Sequence, residues 1–557
     1  MNEPGGRARM ARSAVLCLAL AVALQLSVVA PAWAEQRDDR GTVLPLTPSA
    51  AAAVDPALVA AIRDLAGNGP ALDQLVETDA ATLQPVYAGR DYAPIWVTSA
   101  GLQPQGEKLL GTMERLQRSG VVSFGPDLAG AGARRGASTP TALAELELLL
   151  SSALAGAAVD PADLLAPGPH PQALAALKDE GIKEALPQWL PPDPAFWRLR
   201  PAIDVYRAMA ERGDWPTVGP GAKLEPGMRD ARILQVRQRL LASGDLMDGP
   251  ADSTAEPAVY DETLAEAVRR FQARHGLATD GVIGRGTIDA LNVPVEERLA
   301  AMILNLRRLH AKARDWGDDF VMVNVAGAQL TLVQDGEIAA FYNVIVGRRE
   351  RRTPEVHSAI NRLEFNPYWN VPSGIYSKDF LPKLKEDSGY LANYKNLRVY
   401  RASEPANEID PSTIDWFSDD ARKMRLRLRQ DPGPENALGP AKFLFPNSYD
   451  VYLHGTNKPS LFAKADRFIS SGCVRLPDSL GFAELLLGDD PAWTRERIEQ
   501  MIKGGRNRSV TLAAPLPVHL IYDTAWVDET GTVQFRIDVY RRDEDEAVVA
   551  ERGGGKG

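Results

Sequence analysis

The spacing of apolar residues changes once along this chain, and that change limits what it can fold into. Through a helix at Arg298–Ala313, leucines and other apolar residues recur mostly at three- and four-residue spacing, as helices with one buried face require. From about Asp318 the segment FVMVNVAGAQLTLVQDGEIAAFYNVIVG is β-branched and aromatic, with Asp335-Gly336 between two strand-like runs. That dipeptide suits a tight hairpin whose central residues need positive φ. The expected fold class is multidomain α+β, and a chain of 557 residues has room for several domains.

The helical part divides further. Residues 35–79, rich in Ala, Pro, Asp and Gly, read as a linker with one helix around Pro56–Leu65. Residues 80–227 read as a helical scaffold domain, with leucine periodicity over Gly106–Arg118 and Pro140–Leu154. Tyr87, Tyr92 and Trp96 cluster in YAGRDYAPIW and read as core. In residues 228–295, ILQVRQRLLASGDL is one amphipathic helix with Ile233, Val236, Leu240 and Leu241 on a single face. Asp261 is placed to cap a second helix, whose apolar stripe is Leu264, Val268 and Phe271. Turns at Asp280-Gly281 and Gly284-Arg285-Gly286 precede a short helix ending at Leu291, with Thr287 as its expected cap.

Residues 296–317 read as a connecting helix. The β part spans 318–515, interrupted by a mixed-charge insertion at 375–430, and further strands fall in 516–540. RRDEDEAVVAERGGGKG at 541–557 has the composition of a disordered tail.

The N-terminus points to export. Arg7, Arg9 and Arg12 precede an apolar stretch over Ala14–Ala30, and Ala32-Trp33-Ala34 supplies a small-x-small cleavage pattern. Residues 1–34 therefore read as a cleaved signal peptide, and an uncleaved membrane anchor is the rival reading. No later segment is apolar enough to span a bilayer. The net charge of −10 becomes about −12 once three arginines and Glu3 leave with residues 1–34, which argues against nucleic acid and anionic lipid as main partners.

Cleavage would also remove Cys17 and leave Cys473 as a lone thiol, in FISSGCVRLP. A lone cysteine is either buried and inert or reactive. Nineteen residues earlier, DVYLHGTN reads as a strand in which Tyr452 and His454 share one face while Val451 and Leu453 share the other. A thiol attacks a carbonyl as thiolate, and a nearby histidine can take its proton and later return it to a leaving amine. The carbonyl of Gly455 is placed to hold that histidine in one tautomer. Gly472 leaves the approach to sulfur open, the Cys473 N–H and the Tyr452 hydroxyl can hold an oxyanion, and Arg475 can bind a substrate carboxylate. Against this stands the ordinary histidine that is only hydrogen-bonded within a strand. His170, His275, His310 and His519 read as structural, and His357 in RRTPEVHSAI is the rival base. No metal-ligand cluster is visible.

HGT, a loop and then SSGCVRL resemble the signature of L,D-transpeptidases with a YkuD-type catalytic domain. RQDPGPENALGPAKFLFPNSYDVYLHGTN extends the likeness, and FNPYWNVP resembles the segment lining that family's cleft, with Asn366 and Trp369 as substrate-binding candidates. FQARHGLATDGVIGRGTIDALN resembles a three-helix peptidoglycan-binding module. The domain order resembles the large, multidomain YcbB-type branch. Many members carry histidine where Ser471 stands and asparagine where Arg475 stands, so the roles of those two residues stay open.

The resemblance implies a YkuD-like β-sandwich, a substrate-capping lid at 375–430, and no cofactor. It implies Cys473 as nucleophile, His454 as base, the Gly455 carbonyl as its orienter, and Tyr452 with the Cys473 amide as the oxyanion site. Substrate contacts would come from Ser471, Gly472, Arg475, Trp369 and Asn366. The implied activity is 3→3 cross-linking of peptidoglycan stem peptides with release of D-Ala, in the periplasm or cell envelope, open to inactivation by carbapenems. Stem peptides and glycan would be the partners, with other cell-wall synthesis enzymes as further ones. Hydrolysis by an L,D-carboxypeptidase, protein anchoring, and a non-catalytic wall-binding scaffold are the alternatives. Arg422, Lys423, Arg425, Arg427 and Arg429 in the insertion read as a solvated face, or as a contact for acidic stem peptides.

Overall fold

Thr139 begins one of the two longest helices described in the N-terminal region by accepting a hydrogen bond from the Ala142 N–H, and Pro140 follows where a missing N–H costs nothing. The helix it starts, Pro140–Ala157, is apolar nearly all round, and Leu146, Leu149, Leu150 and Leu154 are buried at the centre of the helical core. In the computed structural model, residues 55–545 are described apart from 79, 167–169, 171, 177–181, 214, 248–257, 313, 424 and 489. The signal-peptide expectation lies outside these residues. No helix among them is long and apolar enough to cross a membrane.

Three expected boundaries are corrected. Pro56–Ala66 and Gly69–Leu75 are helices that bury Leu58, Ile62, Ala66 and Leu72 in the helical core, so this end of the expected linker is part of the domain. The break expected at 515/516 falls inside one continuous strand, Arg508–Ile521, whose ladder partners lie on both sides of it. The expected tail is ordered at its start, where Asp543 accepts a hydrogen bond from Arg308 at 2.7 Å and another from Thr524 at 2.7 Å.

The residues after that strand return to the helical region. The hairpin of Ala525–Val527 and Val533–Phe535 buries Ala525, Val527 and Phe535 in the same core as the N-terminal helices. At the junction, Arg314 reaches Asp523 through a two-pronged pair at 2.7 and 3.0 Å, and Asp193 lies 4.0 Å away. All three side chains are almost fully buried.

The second helical unit has helices Arg232–Ala242, Glu262–Arg274 and Arg285–Leu291 around Ile233, Val236, Leu240, Leu264, Val268, Phe271 and Leu291. Asp261 caps the second as expected. Thr287 does not cap the third. It lies buried within that helix, while Gly284 holds the cap position and offers no side-chain bond. Leu241 is exposed beside the helix end.

The β part is a curled, mixed sheet. Among the described residues it has eight strands, numbered here along the chain: β1 Phe320–Asn324, β2 Gln329–Gln334, β3 Glu337–Asn343, β4 Val356–Phe365, β5 Ala441–Leu444, β6 Leu453–His454, β7 Val474–Arg475 and β8 Arg508–Ile521. The spatial order is β7-β6-β5-β4-β8-β1-β2-β3, with β6/β7 and β8/β1 parallel and the other pairs antiparallel. Asp335 and Gly336 both have positive φ at the β2–β3 turn, as the sequence expects.

The insertion, with the strand just before it, builds a separate four-stranded sheet, in the order Glu404–Ile409, Leu397–Arg401, Leu426–Gln430, Trp369–Asn370. It has its own core around Trp369, Tyr376, Phe380, Val399 and Leu428.

Candidate active site

Strand register assembles the site. β6 and β7 run parallel with Leu453 opposite Val474 and His454 opposite Arg475. Residues opposite one another in adjacent strands point to the same side, and one step back the Val474 N–H donates to the Tyr452 carbonyl at 3.2 Å, which sets Tyr452 beside Cys473. β5 adds Lys442, which is paired with His454 from the other side. Tyr452, His454, Cys473, Arg475 and Lys442 therefore share one face. Leu453 and Val474 point the other way, into the core of the sheet.

His454 is buried, and its Nδ1 lies 2.6 Å from the Gly455 carbonyl. That carbonyl can only accept, so Nδ1 carries the proton and Nε2 is left as the basic nitrogen. Gly455 must be glycine, since a Cβ there would sit 2.5 Å from the Ser479 hydroxyl and 3.0 Å from Pro440. Burial, reinforced by the charge of Arg475, lowers the His454 pKa to about 3, although the Gly455 and Leu438 carbonyls pull the other way. Burial likewise raises the Cys473 thiol above its ordinary value, while Tyr452, Arg475 and Lys442 act to lower it. The sulfur-bearing residue is still partly exposed and so can be reached. The resting pair is thus neutral thiol and neutral imidazole. Burial, then the neighbouring Cys473, hold Tyr452 well above its ordinary pKa, so its hydroxyl stays a donor.

The turn before the cysteine is tied at several points. Gly472 has φ +122°, open to glycine alone. Its N–H donates to the Ser470 hydroxyl, which itself donates to the Cys473 carbonyl at 2.6 Å. Thr353 donates to the Gly472 carbonyl at 2.7 Å. In a trans peptide C=O and N–H point in opposite directions, so this bond turns the Cys473 N–H away from Thr353. Thr353 is fixed in turn, since its hydroxyl accepts from the Gly347 N–H and its own N–H donates to the Tyr540 hydroxyl.

Not every expected site residue joins this group. Asn366 has φ +48° and donates its amide to the carbonyls of Met501, Ile502 and Arg506, so it anchors the Arg495–Lys503 helix and does not face the thiol. Trp369 is only 9% exposed and packs 6.2 Å from Phe380 in the insertion core. Both were read from a motif that in fact joins the end of β4 to the insertion sheet. Ser471 is near the thiol but accepts a hydrogen bond from Arg351 at 3.0 Å. Arg475 pairs with no carboxylate among the described residues, and its Nε is buried without a hydrogen-bond partner.

His357 is no rival base. It lies at the far end of β4, with its Nδ1 2.9 Å from that of His519 on β8. The basic run of the insertion is largely paired within it: Arg422 and Lys423 with Asp419, Arg425 with Asp420, and Arg429 over the Tyr400 ring. Thr353, Tyr540, Lys442 and Arg351 went unread in the sequence. Two of them, Arg351 and Thr353, stand in GRRERRTP, just before His357.

Residues 318–498 match the family described as the L,D-transpeptidase catalytic domain, YkuD. Residues 229–291 match one described as "Putative peptidoglycan binding domain", and 81–203 one described as "Scaffold domain". A curated Haemophilus influenzae protein named "Putative L,D-transpeptidase" is 34% identical over 272 residues, 48% of this chain and 54% of that protein. The chain thus matches about half the length of this relative. Two solved L,D-transpeptidases, from Stackebrandtia nassauensis and Xylanimonas cellulosilytica, each align at 14% identity. They cover 55% and 54% of this chain and 97% and 98% of theirs, with TM-scores of 0.21 and 0.17.

Proposed function

From a chain that carries a YkuD-type L,D-transpeptidase catalytic domain behind a peptidoglycan-binding domain, we propose a peptidoglycan L,D-transpeptidase that forms 3→3 cross-links through a cysteine acyl-enzyme. The observation that carries this reading is the β6/β7 register, which puts Tyr452, His454, Cys473 and Arg475 on one face with His454 fixed in a single tautomer.

His454 Nε2 takes the thiol proton as sulfur attacks the carbonyl of the third, diamino acid residue of a tetrapeptide stem. The proton moves during attack, because the resting pair is neutral. The oxyanion is held by the Tyr452 hydroxyl and the Cys473 N–H. Loss of one such donor typically slows acyl transfer by about 10²–10³-fold. The C–N bond then breaks, the imidazolium returns its proton to the leaving D-Ala amine, and a thioester remains. The side-chain amine of a second stem attacks that thioester and gives its proton to His454. Collapse forms the new amide and expels the thiolate, which recovers the proton. Arg475, with no carboxylate partner among the described residues, is the candidate to hold a substrate carboxylate.

The reading places the protein at the cell envelope and, through residues 1–34, in the periplasm. The test is mass spectrometry of products from the mature protein and disaccharide-tetrapeptide, beside Cys473→Ala. Cross-linked dimer absent from the variant supports transpeptidation. Tripeptide alone moves the assignment to an L,D-carboxypeptidase, and unchanged substrate in both returns it to a wall-binding scaffold.

A further inference from the structure

Arg351 and Arg348 lie on the loop before β4, within GRRERRTP. Arg351 grips Asp379 of the insertion with both prongs of its guanidinium, at 2.5 and 2.6 Å, and Arg348 lies 3.5 Å from the same carboxylate. Arg351 also donates to the Ser471 hydroxyl at 3.0 Å, two residues before the thiol. The loop is fastened to the nucleophile turn: the Arg348 N–H donates to the Ser470 carbonyl at 3.1 Å, and Thr353 holds Gly472. The insertion, by contrast, has its own core.

We propose that Arg351 and Arg348 form a carboxylate subsite for the acyl donor, and that Asp379 occupies it until the donor arrives. This rests on the transpeptidase reading. A planar guanidinium already engaged by both oxygens of a carboxylate has the shape that a second carboxylate would need. Charge supports an anionic visitor. Residues 348–352 carry four arginines and one glutamate, and Asp379 is their only ion-pair partner among the described residues. In an otherwise acidic chain this is a local attraction for an anionic stem peptide. Arg351 is 14% exposed, so water screens its pairing only in part, while Asp379 at 36% can swing out. Displacing Asp379 also removes a tie between insertion and nucleophile turn, so donor entry and movement of the insertion become one event.

The test is calorimetric binding of a stem tetrapeptide to the Cys473→Ala protein, alone and with Arg351→Gln or Asp379→Asn. The tetrapeptide is compared with two analogues, one amidated at the C-terminal D-Ala and one at the free carboxylate of the diamino acid. Arg351→Gln should weaken the free acid about tenfold, the loss of one charge-assisted contact. The analogue lacking the relevant carboxylate should be unaffected, and which analogue that is identifies the carboxylate. Asp379→Asn should tighten the free acid severalfold, a gain that misfolding cannot mimic. Equal effects on acid and both amides, or no gain from Asp379→Asn, would overturn the subsite. Turnover by the cysteine-intact protein, measured separately, reports on the transpeptidase reading itself.

Discussion

Thr353 holds Gly472 by its carbonyl at 2.7 Å, and through that one bond the aim of the next N–H is set. Thr353→Val keeps the volume but leaves the Gly472 carbonyl without this donor and the peptide plane free to rotate. The rate of acyl-enzyme formation should fall by about 10–10²-fold, somewhat less than the full loss of an oxyanion donor, with little change in KM. Thr353→Ser, which keeps the hydroxyl, should recover most of it. Stopped-flow acylation with each variant decides the matter, and equal losses in Val and Ser would remove Thr353 from the mechanism.

The neutral resting pair makes its own prediction. A cysteine paired with an imidazolium reacts at an almost constant rate across neutral pH, because its thiolate is already present. Here the thiol is raised and His454 stays uncharged down to about pH 3. Alkylation of Cys473 by iodoacetamide, followed by intact mass between pH 5 and 10, should climb steadily with pH and reach no plateau below pH 8. A plateau near neutrality would mean a thiolate–imidazolium pair and a different first step.

What could be read from the sequence was what lies close in sequence. The β2–β3 turn, the Asp261 cap and the pairing of Tyr452 with His454 on one face all follow from spacings of a few residues. The β6/β7 register was not legible, since nothing in two short segments states which residue of one faces which of the other. Asn366 and Trp369 show a related limit: polar and aromatic residues near a cleft look alike in sequence whether they line it or hold up its wall. Strands were expected in 516–540, but their return to the helical core escaped, because the three apolar residues of the hairpin fill a core built more than two hundred residues earlier in the chain.

Arg314 shows how that return is secured. It neutralises Asp523 and, at longer range, Asp193, with all three buried. Burial alone would raise the Asp523 pKa, but Arg314 holds it below the usual range, so the carboxylate stays charged. Arg314→Met strands that charge and should cost about 3–5 kcal/mol. Adding Asp523→Leu should restore a large part of the loss. Thermal melts of the single and double variants test this, and no recovery in the double variant would mean that the cost lies in packing.

Arg475 acts on both titrating groups at once, and the signs can be worked out. A positive charge disfavours imidazolium and favours thiolate, so it lowers the pKa of His454 and of Cys473 alike. Arg475→Gln should therefore move both upward: the acid limb of kcat/KM shifts to higher pH, and the alkylation profile of Cys473 shifts the same way. Arg475→Lys keeps the charge and loses the fork, so it should leave both limbs nearly in place while raising KM for a donor whose carboxylate the fork holds. The two variants thus separate the electrostatic task of Arg475 from its contact with substrate. If Arg475→Gln raised KM and left both limbs unmoved, the charge would serve binding alone, and the low pKa of His454 would have to come from burial.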